Sequence, residues 1–293
     1  MMAALGRLRA VVVGLLGVAL ALVVWDLYKA FGPEDGWKLG ERTLVLPRAS
    51  DLAMPHTWEV YQRFGEPSSP VPDAPSTARA VFDASVFTLE IATRGWVIGV
   101  VVGLLLALLM SRFRLAESAL LPWVVLSQTV PLIAIAPLVK RWGNGIDLGF
   151  TWTDEHSVAV IAAYLAFFPV AVGALRGLKS PQRTHLDLMH TYGVGWWRTL
   201  LTLRLPASVP FLLPALRLGA AAAVIGTVVA EVSIGLRGGL GRMIVEYAQT
   251  ASSDPAKPWA PIVGAVAVGF VAAGVVALLG LLLRPYRTAE TAR

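Results

Sequence analysis

The chain has no cysteine and few charged residues. The absence of cysteine excludes disulfides, cysteine-ligated zinc, iron–sulfur clusters and thiol catalysis. Charged residues make up 15% of the 293 residues, against about 25% in a typical soluble domain. Hydrophobic residues make up 56%, and the mean hydropathy is +0.65. This composition argues against a soluble enzyme and excludes intrinsic disorder. It also favours membrane topology over nucleic-acid binding as the reason for the net charge of +6.

Motifs for phosphate binding and catalysis are missing too. No Gly-x-x-x-x-Gly-Lys-[Ser/Thr] sequence occurs, so ATP hydrolysis through such a loop must belong to another chain. The glycine-rich stretch 235–241 follows an apolar run and is interpreted as a loop or re-entrant turn. His185 and His190 would project about 140° apart on a helix, which is poor geometry for a shared metal. The sequence therefore predicts no catalytic residue, no metal site and no bound cofactor.

Six apolar runs are long enough to cross a membrane, which takes about 20 residues of helix. They lie at about 10–27, 85–110, 119–139, 157–175, 207–230 and 261–283. The third run is interrupted by Pro122, Pro131 and Pro137. The first run resembles a signal peptide, but no small-x-small cleavage site follows it, so we expect a retained span. The pattern predicts an all-α integral membrane protein with six transmembrane helices.

Basic residues suggest which side of the membrane each connection faces. An even number of spans places both termini on the same side. The raw count of basic residues does not choose that side, but the short turn Arg112–Arg114 and the tail Arg284–Arg287 favour the cytoplasm. We therefore expect a multi-pass protein of the bacterial cell membrane with both termini cytoplasmic.

The connection at about 177–206 differs from an ordinary loop because it is basic, aromatic and helical in its spacing. Pro181 suits the first turn of a helix. Gly193 is well placed to end that helix, and Gly195 adds freedom to the turn. From Trp196 an amphipathic pattern resumes and is expected to continue to Pro206. The segment predicts a short, rigid helical hairpin that could transmit force from a partner.

This segment resembles the cytoplasmic signature of the permease subunits of type I ATP-binding-cassette (ABC) importers. That signature reads Glu-Ala-Ala, three residues, Gly, nine residues, Ile, one residue, Leu-Pro. Here nine residues separate Gly193 from Leu203, and Asp187 stands at the position of the glutamate. Leu188 and Met189 depart from the two alanines. The predicted ATPase-coupling residues are Asp187, Leu188, Met189, Gly193, Leu203, Leu205 and Pro206.

The resemblance implies the type I permease fold with cytoplasmic coupling helices, and it implies partners. These are an ATP-binding-cassette ATPase subunit that holds the ATP, an extracytoplasmic substrate-binding protein, and a second permease copy, most simply in a homodimer. No nucleic-acid partner is implied. The domain division follows: a transmembrane helix at 1–28, an extracytoplasmic loop at 29–84, a permease core at 85–284 and a cytoplasmic tail at 285–293. The loop 29–84 is either a small ordered cap or a mobile loop.

Further stretches are similar to the nitrate, sulfonate and taurine subgroup of this family. They are Ser127–Leu138, Trp142–Gly145, Leu216–Gly219, Glu231 and Gly239–Gly241. The subgroup implies import of a small anion such as a sulfonate, taurine or nitrate. Import of a pyrimidine precursor of thiamine, or of riboflavin, is the alternative. A non-transporting scaffold or sensor subunit is an alternative of another class. A secondary transporter would show repeated halves, and none are found.

Polar and helix-breaking residues in the spans indicate a solute pathway, because such groups at membrane depth usually face the protein interior or a pathway. Packing hydrogen bonds between helices are the alternative explanation for the third span. Arg217 could be paired, could snorkel or could attract an anion, and Glu231 has a structural or gating role. The predicted pathway residues are Ser127, Gln128, Thr129, Pro131, Pro137, Arg217 and Glu231.

Two further expectations concern packing. Small residues at Gly219, 220–223 and Gly226 place the fifth span at a bundle or dimer interface. Glu90 and Arg94 are spaced for an ion pair on one helix face.

Overall fold

Helices make up most of the chain in the computed structural model, which describes residues 2–39, 43–46, 48–145 and 149–282. They are α1 (Met2–Phe31), α2 (Thr57–Arg63), α3 (Thr77–Arg112), α4 (Arg114–Ser127), α5 (Leu132–Gly145), α6 (Asp154–Leu178), α7 (Arg183–Thr191), α8 (Trp196–Thr199), α9 (Leu205–Ile234), α10 (Leu240–Ala248) and α11 (Trp259–Leu282). A π-helical turn, Leu200–Arg204, joins α8 to α9. A short antiparallel hairpin of β1 (Trp37–Leu39) and β2 (Thr43–Leu46) supplements this all-α fold. The predicted tail 285–293 lies outside the described residues.

Among the described residues, five helices are long and apolar enough to cross a membrane. They are Val12–Phe31, Thr77–Arg112, Asp154–Leu178, Trp196–Ile234 and Trp259–Leu281. A sixth crossing is possible if α4 and α5 form one span, although they are bent by 105° at the break between them. Five of the six predicted runs are therefore continuous helices, and the third is a broken pair.

The break in the third run lies at residues 128–131, where Pro131 has no N–H to donate to the preceding turn. Pro122 and Pro137, in contrast, lie inside α4 and α5. Of the three prolines that interrupt the apolar run, only Pro131 is at the point where the helix stops.

The chain forms two compact units. The first combines residues 1–81 with 244–262, and the second combines residues 82–243 with 263–293. The grouping of 244–262 with the N-terminal part was not predicted from the sequence.

The second unit is built around α6, whose central residues are buried. Helix α3 approaches it along three glycines spaced four apart, Gly95, Gly99 and Gly103. A β-carbon placed on Gly99 would lie only 2.7 Å from Ala166 Cβ and 2.9 Å from Ala163 O. Because no side chain fits there, glycine allows the two backbones to approach closely.

Helix α9 packs on α6 in the same way. A β-carbon on Gly226 would lie 3.2 Å from Ala162 Cα, and Gly219 faces Val170. Ala220 and Ala223, in the predicted run of alanines, are buried. The expectation that these small residues lie at a helix–helix interface of the bundle is confirmed.

In the first unit, the buried guanidinium of Arg63 organises the segment after α1. Its Nε donates to Asp254 Oδ2 (2.7 Å), and its Nη1 donates to Thr77 Oγ1 (2.9 Å) and to Pro67 O (3.1 Å). A buried cation satisfied by this many acceptors fixes its surroundings. These bonds tie α2 to the start of α3 and to the loop that carries Asp254.

A second contact in this unit ties residues 49–51 to the end of α1. Lys29 Nζ donates to Ala49 O (2.6 Å) and to Asp51 Oδ1 (2.5 Å). The hydrogen bond and charge of the Lys29 ammonium lower the pKa of the Asp51 carboxyl from its ordinary value.

Candidate functional site

The predicted coupling segment contains a helix, α7, that ends at a glycine as expected. Gly193 has φ +66°, a left-handed conformation that side chains rarely adopt. Its N–H donates to His190 O (3.0 Å), and Val194 N–H donates to Met189 O (2.9 Å). These two bonds form the Schellman motif, in which a left-handed glycine satisfies the last carbonyls of a helix. The sharp turn between α7 and α8 therefore depends on this position.

None of the residues of helix α7 is buried. Asp187 is exposed, and so are the apolar groups of Leu188 (53%) and Tyr192 (77%). Just beyond the turn, Trp197 is 72% exposed. Large apolar side chains clustered on an exposed element are typical of a protein-binding surface.

The base of the segment, unlike its tip, is tied to the membrane helices. Ser180 Oγ donates to Ala207 O (3.2 Å), and Arg204 Nη1 donates to Leu178 O (3.4 Å). The guanidinium of Arg112, at the end of α3, lies 5.2 Å from the ring centre of Trp196. The two ends of the segment are thus held to α6, α9 and α3.

Apolar packing strengthens this base. Leu200 is buried in a cluster with Ala107 and Met110 of α3 and with Ala174 and Leu178 of α6. Immediately after α6, Lys179 forms an ion pair with Glu117 of α4. A displacement of the segment would therefore move α3, α4, α6 and α9 with it.

The second half of the segment differs from the prediction in two ways. The helical path does not end at Pro206, because the π-helical turn 200–204 leads directly into α9 and Leu205 N–H donates to Leu200 O across five residues. The π-helical turn changes the pattern of backbone hydrogen bonds, so that the missing N–H of Pro206 does not interrupt the helix. Pro181 lies before the N-cap residue, Gln182, rather than in the first turn of α7. Leu203 lies in the π-helical turn, and Leu205 is the first residue of α9.

The break between α4 and α5 carries three of the predicted pathway residues. Ser127 Oγ donates to Val124 O (2.8 Å) and Thr129 Oγ1 to Leu126 O (2.8 Å), so both hydroxyls bond to their own helix. Gln128 Nε2 donates to Ser127 Oγ (3.2 Å). Thr129 is exposed, and Gln128 is half-buried. Uncharged polar groups thus line an exposed break in an apolar helix pair.

The other groups at the break are backbone atoms and prolines. The Tyr164 hydroxyl of α6 donates to Ser127 O and supports the bend. Pro131 and Pro137 are both exposed. Sequence reasoning found the break through its prolines but missed Tyr164, which carries no local signal.

Arg217 does not lie with these groups. It is exposed in the middle of α9, and its Nη2 would lie 3.7 Å from a β-carbon placed on Gly280 of α11. Within the part of the chain that the structure describes, no acidic side chain pairs with it. The predicted pathway residues therefore do not form one cluster, since Arg217 lies apart from those at the break between α4 and α5.

Glu231 is fully buried at the end of α9. Its Oε1 accepts from Thr88 Oγ1 of α3 (2.8 Å), and its Oε2 accepts from Gly241 N–H at the start of α10 (2.7 Å). Leu240 N–H in turn donates to Thr88 Oγ1 (2.9 Å). A β-carbon on Gly239 would lie 2.2 Å from Glu231 Oε1. We call these residues the α9–α10 latch, since they join the end of α9 to the start of α10 and both to α3.

Sequence reasoning identified Glu231 but missed Thr88, because 143 residues separate the two. The predicted pair of Glu90 and Arg94 is present, and Arg94 Nη1 also donates to Glu155 Oε2 of α6 (3.1 Å). In the described ranges, no group of three or more metal-ligating side chains occurs.

Comparison with known proteins agrees with this geometry. Residues 99–285 match the family of binding-protein-dependent transport system inner membrane components. The chain is 33% identical over 204 residues to the formylaminopyrimidine transport permease protein ThiX of Halalkalibacterium halodurans, covering 68% of this chain and 76% of that protein. It is 29% identical over 262 residues to a putative aliphatic sulfonates transport permease protein, SsuC of Bacillus subtilis. That match covers 86% of this chain and 88% of the Bacillus protein.

A solved structure shares the fold. The crystal structure of an amino acid ABC transporter with histidines superposes with a TM-score of 0.51 at 19% identity, over 70% of this chain and 92% of that one. The predicted type I permease fold is confirmed. The family is one of membrane permeases rather than enzymes. The chain belongs to the binding-protein-dependent transport system inner membrane components, the multi-pass permeases of ABC transporters.

Proposed function

We propose that this permease couples ATP hydrolysis on a separate ATPase subunit to the import of a small solute. The observation that carries the proposal is the contrast within the coupling segment. Helix α7 is wholly unburied and carries exposed Leu188 and Tyr192, while the base beneath it is packed on four membrane helices. An exposed tip on a rigid base is what a partner needs in order to move the bundle.

The segment transmits the movement of the ATPase. In this mechanism Asp187, Leu188 and Met189 lie in a groove of the ATPase on the cytoplasmic side, and Gly193 sets the angle at which α7 leaves α8. The bonds of Ser180 and Arg204 carry the displacement to α6 and α9. Because α6 packs on α3 and α9 along glycines, these helices move as rigid bodies, as alternating access requires.

The solute passes the break between α4 and α5. Gln128 and Thr129 offer an amide and a hydroxyl at membrane depth, and Pro131 holds the break open by preventing a continuous helix. Two permease copies enclose the pathway, and an extracytoplasmic binding protein delivers the solute on the side opposite α7. The α9–α10 latch fixes the other end of α9 and serves as a gate.

Sulfonates, pyrimidines and riboflavin are the solute classes named for the relatives. A sulfonate-type anion is supported by the sequence similarity of the third and fifth spans and by the relative that covers 86% of the chain. A pyrimidine is supported by the relative at 33% identity and by the break itself. The polar side chains at the break, Ser127, Gln128 and Thr129, are uncharged. The cationic side chain of Arg217 does not lie at the break but beside Gly280. The uncharged side chains of the break support a neutral solute, and together with the relative at 33% identity they lead us to propose the pyrimidine.

Two measurements identify the solute: ligand binding by the binding protein, and uptake by the complete importer in proteoliposomes. A thermal-shift screen of the binding protein against sulfonates, taurine, nitrate, pyrimidines and flavins comes first. A ligand at about 100 times its dissociation constant should stabilise the binding protein against unfolding by about 2.7 kcal/mol. Uptake of the same labelled compound, dependent on ATP, supports the proposal. A shift with a sulfonate alone overturns the pyrimidine assignment, and uptake without ATP overturns the importer.

Docking of the ATPase is tested by co-purification. Leu188→Glu places a charge on the exposed face of α7, and we expect the ATPase to be lost from the purified complex. Leu115→Glu is the matched control, since Leu115 is also exposed (83%) but lies in the first turn of α4. Retention of the ATPase by Leu188→Glu would contradict the docking. A complex that holds the ATPase but moves no solute would indicate the scaffold alternative.

A further inference from the structure

The membrane part of the second unit contains one charge whose role the transport proposal leaves open. Arg217 lies in the middle of α9, a helix of 30 residues, and its side chain is exposed. Gly280, which it approaches, is near Leu282, the last described residue of α11. An unpaired charge at membrane depth is costly, so such groups reach towards an interface or bind a counter-charge.

The guanidinium points towards the end of α9 that adjoins the coupling segment, since Arg217 Nη2 lies near Gly280, whose other neighbour on α9 is Leu213. Helix α9 begins on that side at Leu205, immediately after the π-helical turn. Helix α11 runs antiparallel to it, so that Gly280 meets Leu213 and Arg217 in the first half of α9. The arginine thus extends from the helix middle towards the headgroups of the leaflet on that side.

An apolar groove begins one helical turn from Arg217, at Ala220, and runs away from that side. Helices α3, α9 and α11 form its walls. The residues used here are Thr93, Trp96, Ala220, Val224, Ala272 and Val276. On α9, Ala220 and Val224 follow Arg217 by one and two turns, and on α11 Val276 and Ala272 precede Gly280 by the same steps. The groove therefore extends about two turns, or about 11 Å, from the charge towards the membrane centre.

The polar atoms in the groove walls are already satisfied. Thr93 Oγ1 donates to Leu89 O of its own helix (2.7 Å), and Trp96 Nε1 donates to Leu216 O of α9 (3.2 Å). A hydrogen-bonding solute would gain nothing there and would lose its water. An apolar chain, in contrast, would be buried at no such cost.

We propose that Arg217 and this groove form a binding site for one anionic phospholipid of the leaflet on the coupling-segment side. The phosphate binds the guanidinium of Arg217, and one acyl chain occupies the groove between α3, α9 and α11. The polarity of the site matches the polarity of a lipid, since the charge lies towards the headgroups and the groove towards the tails. A free phosphate or a small hydrophilic anion would use the charge but leave the groove empty.

Native mass spectrometry of the complete importer, titrated with phosphatidylglycerol or phosphatidylcholine of identical chains, tests the headgroup. We expect one phosphatidylglycerol to bind preferentially. Arg217→Gln should reduce that preference about five-fold, the factor expected for one basic side chain beside an anionic surface. Arg176→Gln, an exposed arginine at the end of α6, removes the same charge elsewhere and should leave the preference intact. An unchanged preference in Arg217→Gln overturns the proposal.

A second pair of variants tests the groove. Val275 is exposed and lines the groove, so Val275→Trp should fill it and weaken binding of both lipids. Val271→Trp, one turn away on α11 and equally exposed, should not. Displacement of the lipid by glycerol 3-phosphate at equal concentration would show that the headgroup alone binds and overturns the proposal. Displacement by the transported solute overturns it as well, because Arg217 would then belong to the pathway.

Discussion

At the scale of single residues, two positions carry requirements that ordinary side chains do not meet. Gly193 holds a left-handed conformation between α7 and α8, with open space around its α-carbon. Glu231 is a buried carboxylate that accepts hydrogen bonds from two other elements. The first requirement comes from backbone geometry, and the second comes from the cost of leaving a buried polar atom without a partner.

The first prediction concerns Gly193. Gly193→Asp should uncouple the importer while the protein still inserts, because a left-handed conformation costs a side-chain-bearing residue about 1–2 kcal/mol. The strain would reorient α7. We expect solute uptake in proteoliposomes to fall roughly ten-fold or more, with ATP hydrolysis no longer responding to the loaded binding protein. A ten-fold fall in the rate corresponds to a rise of about 1.4 kcal/mol in the activation free energy.

Gly195→Asp is the matched control for that variant. Gly195 has φ −65° and is the N-cap residue of α8, where aspartate is a favoured residue. It should keep near-normal uptake. Normal transport in Gly193→Asp, or equal loss in both variants, would contradict the role assigned to the Gly193 turn.

At the scale of elements, close approach between helices decides the architecture of the second unit. Helix α6 meets α3 and α9 through glycines and alanines, and the α9–α10 latch joins the end of α9 and the start of α10 to Thr88 of α3. Without a hydrophobic driving force between helices in lipid, packing and buried hydrogen bonds hold them together. Stability should therefore respond most to added atoms along the glycine contacts and to lost partners in the latch.

The second prediction tests the contact between α3 and α6. Gly99→Ala should destabilise the protein by about 1–3 kcal/mol, because the added methyl group overlaps Ala166 and Ala163. Gly274→Ala on α11 has open space and should be neutral or stabilising by up to about 1 kcal/mol. The measurement is thermal unfolding followed by the fluorescence of the ten tryptophans. A midpoint for Gly99→Ala at or above that of the wild type would rule out the close packing.

The third prediction tests the latch. Glu231→Ala leaves the Gly241 N–H and the Thr88 hydroxyl without their acceptor, and each such buried group costs about 1–3 kcal/mol. Thr88→Val should also lower the unfolding midpoint, and the double variant should lose less than the sum because the two residues share one bond.

Thr93→Val serves as the control on α3, since its hydroxyl is exposed and bonds to its own helix. Its midpoint should stay close to that of the wild type. Strict additivity of Glu231→Ala and Thr88→Val would show that the two side chains act independently.

At the scale of the whole molecule, the membrane topology depends on the bent pair of α4 and α5. If the pair crosses the membrane, the connection before α4 and the coupling segment face the same side. If the pair is re-entrant, α6 alone separates them and they face opposite sides. The 105° bend alone is compatible with either arrangement. Glu117 at the start of α4 pairs with Lys179, and Arg112 contacts Trp196, so the start of α4 lies beside the coupling segment and the pair crosses the membrane.

The fourth prediction resolves the topology by labelling. The chain has no cysteine, so single cysteines report without background. We expect Leu115→Cys and His190→Cys to react with a membrane-impermeant maleimide from the cytoplasmic side and Phe150→Cys from the other side. If Leu115→Cys and Phe150→Cys were labelled from the same side and His190→Cys from the opposite side, the result would show that α4 and α5 are re-entrant. All three positions are exposed.

The sequence by itself determined the class of fold and the position of the coupling segment. Apolar runs are local, and a helix in lipid satisfies its own backbone, so length and composition were enough for five of the spans. The turn at Gly193 was also predictable, because the Schellman motif involves residues within one turn. The spacing from Gly193 to Pro206 then identified the family before any tertiary contact was known.

Only the tertiary structure decided which distant residues meet. The hydrogen bond of Thr88 to Glu231, the support of the α4–α5 bend by Tyr164 and the approach of Arg217 to Gly280 join residues far apart in the chain. The sequence marked Arg217 and Glu231 as unusual because charge is rare in a span. It could not give their partners, because packing between helices in lipid is set by shape rather than by a local pattern.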